Sequence, residues 1–262
     1  MILIKNLVLR LPKKNSRKGD NGVLTVVGGS KKYHGAPLLA INAASRLVDL
    51  VYYYSPEKLN EKVMASMKAS ALCSIFVQRK DLFACVKKSD CVLIGNGLAL
   101  SESNKKLVNY LLKAFPEKKF VLDAGALRLV DLNNLNPNVL VTPHSAEFNA
   151  LFKTKASPEQ VLFQAKKHGC LVLLKQGNCF VSDGKKIYYN KNGNAGMTKG
   201  GTGDVLAGLC AALACKNSLL ASAKAAAWLN GEAGDYLFKK QGFAFNALDL
   251  SNALPIVFSK NV

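Results

Sequence analysis

The chain has 262 residues, 49% hydrophobic and 20% charged, which is too apolar for a disordered chain and enough to build a core. Thirty-six Lys and Arg against seventeen Asp and Glu give a formal net charge of +19, which reads as a solvated basic surface that also favours phosphate-bearing ligands. No apolar run of about eighteen residues suggests a membrane span.

The first clear strand is expected at residues 23–27, followed by the loop Gly28-Gly29-Ser30. A helix is expected at 37–47, with Pro37 near its first turn. Strands follow at 50–54 and 91–94, the second ending in Gly95-Asn96-Gly97. A helix at 104–115 leads to a strand at 120–122 that ends in Asp123-Ala124-Gly125. Strands at 139–141 and 171–174 end in Thr142-Pro143-His144 and in Lys175. Residues 179–182 and 186–189 flank Asp183-Gly184, the signal of a tight hairpin. Helices are expected at 204–214, 219–238 and 247–258. Short apolar strands alternating with helices predict an α/β fold: a mostly parallel sheet with helices on both faces, in one domain spanning 1–262. Four strand ends carry polar or Gly-rich turns. In such sheets ligands bind beyond the carboxyl ends of the strands, so these loops should converge on one cleft.

The stretch 1–14 is broken by Lys5 and Arg10 and lacks a small-residue cleavage site, so no signal peptide is expected. Seven cysteines (Cys73, Cys85, Cys91, Cys170, Cys179, Cys210 and Cys215) form no Cys-x-x-Cys pair. They read as reduced core thiols of a cytoplasmic protein. Basic residues are scattered in pairs without interleaved aromatics, so neither nucleic acid nor membrane is expected as a partner.

The most specific segment is residues 194–208, built around Lys199-Gly200-Gly201-Thr202-Gly203-Asp204. Its glycines let the backbone approach a ligand closely. Gly200, Gly201, Thr202 and Gly203 would form an amide nest for an oxyanion at a helix mouth. Asp204, beside that nest, is placed to take a proton from a hydroxyl attacking a bound phosphate. A plain Gly-rich turn capped by Asp204 is the simpler alternative. The Walker pattern is absent, so this is no P-loop.

These residues resemble the ribokinase-like superfamily, whose Gly-x-Gly-Asp signature is an anion hole plus a catalytic base. Within it the sequence is most similar to the ADP/ATP-dependent NAD(P)H-hydrate dehydratases. Six blocks carry the resemblance: Gly28-Gly29-Ser30 with Gly35-Ala36-Pro37; Ile94 to Leu98; Leu122 to Leu127; Val141 to His144 with Glu147; Leu173-Leu174-Lys175; and Gly193 to Met197 running into Lys199 to Asp204. The resemblance implies a ribokinase-like three-layer sandwich. It implies phosphorylation of the 6-hydroxyl of NADHX or NADPHX by ADP or ATP, then loss of phosphate to restore NADH or NADPH. A ribokinase-like kinase for a vitamin precursor of the hydroxyethylthiazole or hydroxymethylpyrimidine type is the alternative. A nucleotide or nucleic-acid binder exploiting the charge is a third.

By the same resemblance, Asp204 is catalytic, and Ala36, Gly97, His144 and Asp204 touch the hydrated cofactor. Lys175, Gln176, Gly177, Asn178, Cys179 and Gly203 bind the nucleotide, and Mg²⁺ bridges its phosphates. Asp123 and Glu147 are expected to act on that Mg²⁺ through water. A homo-oligomer, a tetramer among relatives, and a separate NAD(P)HX epimerase are the implied partners. Ordinary structural roles compete at several positions: a loop histidine at His144, a first-turn acid at Glu147, a left-handed turn residue at Asn194, a buried strand thiol at Cys179. The sequence departs from the family at Asn96, where a Pro is usual, at Ser145-Ala146, at Gln176, and at Leu47-Val48-Asp49.

Overall fold

A computed structural model describes residues 2–4, 7–10, 12–66 and 74–261. Cys73 lies outside the described residues. Two short strands, β1 (Ile2–Ile4) and β2 (Leu7–Leu9), pair antiparallel ahead of the strand expected at residues 23–27. Then come β3 (Val23–Val27), α1 (Gly35–Ala44), β4 (Leu50–Tyr54), α2 (Leu59–Ser66), β5 (Ile75–Phe76), α3 (Leu82–Lys88) and β6 (Cys91–Ile94). They are followed by α4 (Glu102–Ala114), β7 (Lys119–Leu122), α5 (Gly125–Leu129), β8 (Val139–Val141), α6 (Ser145–Phe152), α7 (Pro158–His168) and β9 (Leu171–Leu174). The chain ends with the hairpin β10 (Cys179–Ser182) and β11 (Ile187–Asn190), then α8 (Thr202–Lys216), α9 (Leu219–Gln241) and α10 (Ala247–Ser259).

Nine strands form one sheet in the order β11-β10-β9-β8-β7-β6-β3-β4-β5. The strands from β5 to β9 are mutually parallel, while β10 runs antiparallel to β9 and β11 to β10. The strands read as apolar runs because both of their faces are covered. On β3, Leu24 and Val26 face a core shared with α1, α8, α9 and α10. Val27 faces the opposite core, shared with α3 to α7. On β6, Cys91 and Leu93 face the first core and Val92 and Ile94 the second, the two-residue period of a strand. This is the expected three-layer sandwich.

Helix α8 is buried along most of its length because it lies between the sheet and the other helices of its layer. Its small residues permit this. A side chain at Gly208 would collide with the Ala40 carbonyl of α1. Helices α1 and α4 depart from their expected boundaries for local reasons. Helix α1 begins at Gly35, placing Pro37 inside the first turn, where a missing N–H costs nothing. It ends at Ala44, and the chain then turns so that the Asp49 and Leu50 amides reach the Gly22 carbonyl. Helix α4 begins earlier than expected because the Ser101 side chain caps it, accepting from the Asn104 amide at 3.2 Å.

Candidate active site

Strand order reverses at β3: successive strands run outward to β4 and β5 on one side and from β6 to β9 on the other. The crevice between the β3 and β6 loops is the topological switch point of the sheet. The loops meet there as the sequence predicts. The Gly29 amide donates to the Asn96 carbonyl at 2.8 Å, and the Gly125 amide to the Gly95 carbonyl at 3.1 Å. Gly95 has φ 123°, and a Cβ there would collide with the Asp123 carbonyl, so only glycine allows this approach.

Asp204 enters the crevice from the first turn of α8. The helix is entered through Gly201, held at φ 94° between Leu39 of α1 and Ala247 of α10, which leave no room for a side chain. The nest is smaller than expected. The Thr202 hydroxyl donates within the loop, to the Met197 carbonyl at 2.6 Å, and the Thr202 amide donates to the Lys199 carbonyl at 3.3 Å. Thr202 therefore braces the loop instead of facing an anion, which leaves the amides of Gly200, Gly201 and Gly203 for that task. Lys199 ties the same loop down by donating to the Phe243 carbonyl and, at 2.6 Å, to the Phe245 carbonyl.

A continuous polar chain crosses the crevice. Asp204 Oδ1 accepts from Asn96 Nδ2 at 2.6 Å, and the same Nδ2 donates to Asp123 Oδ2 at 3.0 Å. Asp123 is only 1% exposed. Its Oδ1 accepts from the Lys175 ammonium at 2.6 Å and from the Thr142 hydroxyl at 2.8 Å. Lys175 Nζ also lies 3.9 Å from Glu147 Oε2. Burial, and then the nearby Asp123 charge, push the Asp204 carboxyl up to about 6, against the opposing pull of Asn96 and Lys175. Burial alone would lower the Lys175 ammonium, but Asp123 and Glu147 outweigh it and hold its pKa above the ordinary lysine value. The site thus holds a carboxylate poised to accept a proton near neutral pH and a fixed positive charge beside it.

The two acids of the expected water-mediated Mg²⁺ site, Asp123 and Glu147, are both engaged with protein groups. Lys175 occupies the position between them where a cation would sit. Both Asp123 oxygens already accept hydrogen bonds. Glu147 Oε2 accepts the His144 amide at 2.9 Å as part of the α6 capping box. Among the described residues no cluster of three or more metal-ligating side chains occurs.

A cavity of about 440 Å³ opens beside the chain of polar contacts. It gathers His144, Lys175, Gln176, Gly177, Cys179 and Gly203, the expected nucleotide segment together with a histidine assigned to the hydrated cofactor. Asn178, at the tip of that segment, is exposed and off the wall. His144 Nδ1 caps α6, accepting from the Ala146 and Glu147 amides at 3.1 and 3.4 Å, which leaves Nε2 as its other edge, 3.5 Å from Glu147 Oε1. Ala36 and Gly97 meet elsewhere in the crevice, with a Cβ built at Gly97 only 3.3 Å from that of Ala36. Burial pushes the Cys179 thiol up, which fits an inert strand thiol. A larger cavity of about 580 Å³, walled by Arg10, Lys13 and Lys216, opens at the opposite end of α8 and contains none of the expected residues.

Sequence reasoning missed the asparagines of this site. Asn96 entered only as a departure from a family pattern. Asn190, Asn192 and Asn230 line the 440 Å³ cavity. The Asn230 Oδ1 is buried without a partner among the described residues. Asn194 is extended (φ −143°), not left-handed, and caps the following turn while donating to Asp235 at 3.0 Å. The crowding of Asn at 190, 192 and 194 was the available signal.

With this geometry established, the chain can be set beside known proteins. A family profile described as NAD(P)H-hydrate dehydratase matches residues 24–256. The chain is 40% identical over 257 residues to an ADP-dependent (S)-NAD(P)H-hydrate dehydratase of Nitrosopumilus maritimus, covering 91% of this chain and 88% of that protein. It is 38% identical over 257 residues to a bifunctional NAD(P)H-hydrate repair enzyme of Methanocaldococcus jannaschii, covering 95% of this chain and about half (50%) of that protein. Among solved structures, a ribokinase-like superfamily protein of Enterococcus faecalis superposes with a TM-score of 0.86 at 24% identity, covering 97% of this chain and 92% of the other. The ADP/ATP-dependent NAD(P)H-hydrate dehydratase of Bacillus subtilis, co-crystallised with ATP and Mg²⁺, superposes with a TM-score of 0.83 at 24% identity, covering 98% and 95%. The ribokinase-like fold expected from the sequence is therefore observed.

Proposed function

The chain belongs to the NAD(P)H-hydrate dehydratase family, and on that premise we propose that it returns the S form of NADHX and NADPHX to NADH and NADPH, consuming ADP or ATP. One observation carries the reading. A carboxylate with its pKa raised to about 6 stands at the mouth of a glycine-entered helix, beside a buried ammonium and a cavity lined by the strand-end loop at 175–179.

The chemistry follows from that arrangement. Hydroxide is a poor leaving group and phosphate a good one. The substrate 6-hydroxyl attacks the terminal phosphorus of the nucleotide while Asp204 takes its proton. The bond from that phosphorus to its bridging oxygen breaks, leaving AMP from ADP or ADP from ATP. The amides of Gly200, Gly201 and Gly203 and the dipole of α8 hold the negative charge of the moving phosphoryl group. Lys175, pinned by Asp123, adds a fixed positive charge at the same place. Phosphate then departs from C6 while C5 gives up a proton to the leaving phosphate or to water, and the C5=C6 double bond of the nicotinamide ring is restored. Asp123 and Glu147 hold Lys175 between them, so their part in the reaction is to fix that positive charge.

In this reading the cavity wall from Lys175 to Cys179, with Gly203, takes the nucleotide, and Ala36, Gly97 and His144 contact the hydrated cofactor. One dehydratase domain over residues 1–262, a homo-oligomeric assembly and a functionally coupled NAD(P)HX epimerase complete the proposal. No helix among the described residues is long and apolar enough to cross a membrane. Product analysis tests the reading against a kinase of the same fold. The dehydratase yields free phosphate and reduced cofactor, whereas a kinase accumulates a stable phosphoester.

A further inference from the structure

The Asn96 side chain is fully buried, at 0% exposure, in the turn after β6. Both protons of its Nδ2 are used: one goes to Asp204 at 2.6 Å and the other to Asp123 at 3.0 Å. Its Oδ1 is buried and accepts no hydrogen bond among the described residues. The orientation of the amide is dictated by its neighbours. Turned the other way, the oxygen would face two carboxylates and be repelled by both. A residue kept for packing would not carry an unmet buried acceptor, since that group costs stability. An amide that bears this cost at the crevice is placed for its donor end, which both carboxylates use.

We propose that Asn96 is a positioning residue for the reaction, fixing the Asp204 carboxylate at the helix mouth by sharing one amide nitrogen between Asp204 and Asp123. The sharing does two things. It ties the base, on α8, to the Lys175–Asp123 pair, which stands just past the carboxyl ends of β9 and β7, so the proton acceptor and the fixed positive charge keep one geometry. It also occupies one oxygen of Asp204, which leaves the other directed at substrate. The backbone of Asn96 is itself anchored, its carbonyl accepting the Gly29 amide at 2.8 Å, so the amide is aimed from a rigid turn. The inference rests on the reading of Asp204 as the base.

The test compares wild type with Asn96→Asp and Asn96→Ala in steady-state turnover of NADHX with ADP or ATP, alongside nucleotide binding and thermal melting. Asn96→Asp keeps the shape of the side chain but replaces the donor by a third carboxylate. Asn96→Ala removes the donor and adds no charge. Both variants are expected to lose at least about tenfold in kcat, the scale of effect from a displaced catalytic group. KM and nucleotide binding stay within about threefold of wild type, and the isosteric Asp variant does no better than Ala. A packing role predicts the opposite order, with Asn96→Asp close to wild type and Asn96→Ala impaired, and that order would overturn the proposal. If both variants lost nucleotide binding and cooperative melting together, Asn96 would belong to the fold and not to the base, which overturns it equally. Failure of the wild type to regenerate NADH would instead remove the functional reading and this proposal with it.

Discussion

Asp204 sits where two requirements conflict. A base must be charged at working pH, yet burial and the neighbouring Asp123 penalise that charge and raise its pKa to about 6. The folded pKa lies above the value of an unperturbed aspartate, so the folded state holds its proton more tightly. Stability from this group is therefore greatest below about pH 4 and falls as pH rises to about 6; above that the full penalty remains, on the order of 2–3 kcal/mol. Activity runs the other way. The acid limb of kcat/KM is expected to break near pH 6, with turnover lost below it, in a pH–rate profile on NADHX. Asp204→Asn separates the two effects. It should lower kcat by about a thousandfold with nucleotide binding retained, and it should raise Tm at pH 7.5 by an amount that shrinks toward pH 4. Lys175 behaves differently. Its removal leaves Asp123 charged, unpaired and almost wholly buried, so Lys175→Met is expected to cost about 3–5 kcal/mol in chemical denaturation, beyond any loss of activity.

Among the elements, the entry to α8 carries the most consequence for function. Gly201 combines a φ of 94° with contact to both Leu39 and Ala247. Gly201→Ala is expected to destabilise by more than about 1 kcal/mol and to weaken nucleotide binding, measured together by melting and calorimetry, because the loop amides shift with the helix mouth. This element was legible in the sequence, since three glycines with Thr and Asp before a small-residue run specify a tight turn into a buried helix. The central strands were legible for a similar reason: residues 23–27, 50–54, 91–94, 139–141 and 171–174 are apolar runs bounded by turn residues, and the structure places strands at those same positions. Helix α7 was missed although Ser157 caps it, Pro158 opens it and Gly169 closes it in a left-handed conformation. Strand β5 has two residues and offered no period to read. The bridge from Asn96 to Asp204 joins residues 108 positions apart. No local pattern encodes such a contact, which is why Asn96 looked like a lost rigid turn and Asp123 like a residue acting on Mg²⁺ through water.

At the scale of the whole molecule, the sheet order explains why one crevice collects so many functions. Strands leave β3 and β6 toward opposite edges, and the gap between their loops receives α8 from above. The net charge of +19 gives the molecule a positive long-range field that favours the approach of phosphate-bearing ligands. The association rate for ADP or ATP, followed by stopped-flow, should therefore fall as ionic strength rises through the physiological range, while the catalytic step at saturating nucleotide changes little. The central claim is that phosphoryl transfer at Asp204 serves a dehydration. It is tested most directly by incubating the protein with NADHX and either ADP or ATP while following NADH absorbance and free phosphate together. Nucleotide-dependent return of NADH is expected, with one phosphate released per NADH formed, abolished in Asp204→Asn. A phosphorylated NADHX that accumulates without NADH, or equal turnover in the Asp204 variant, would contradict it.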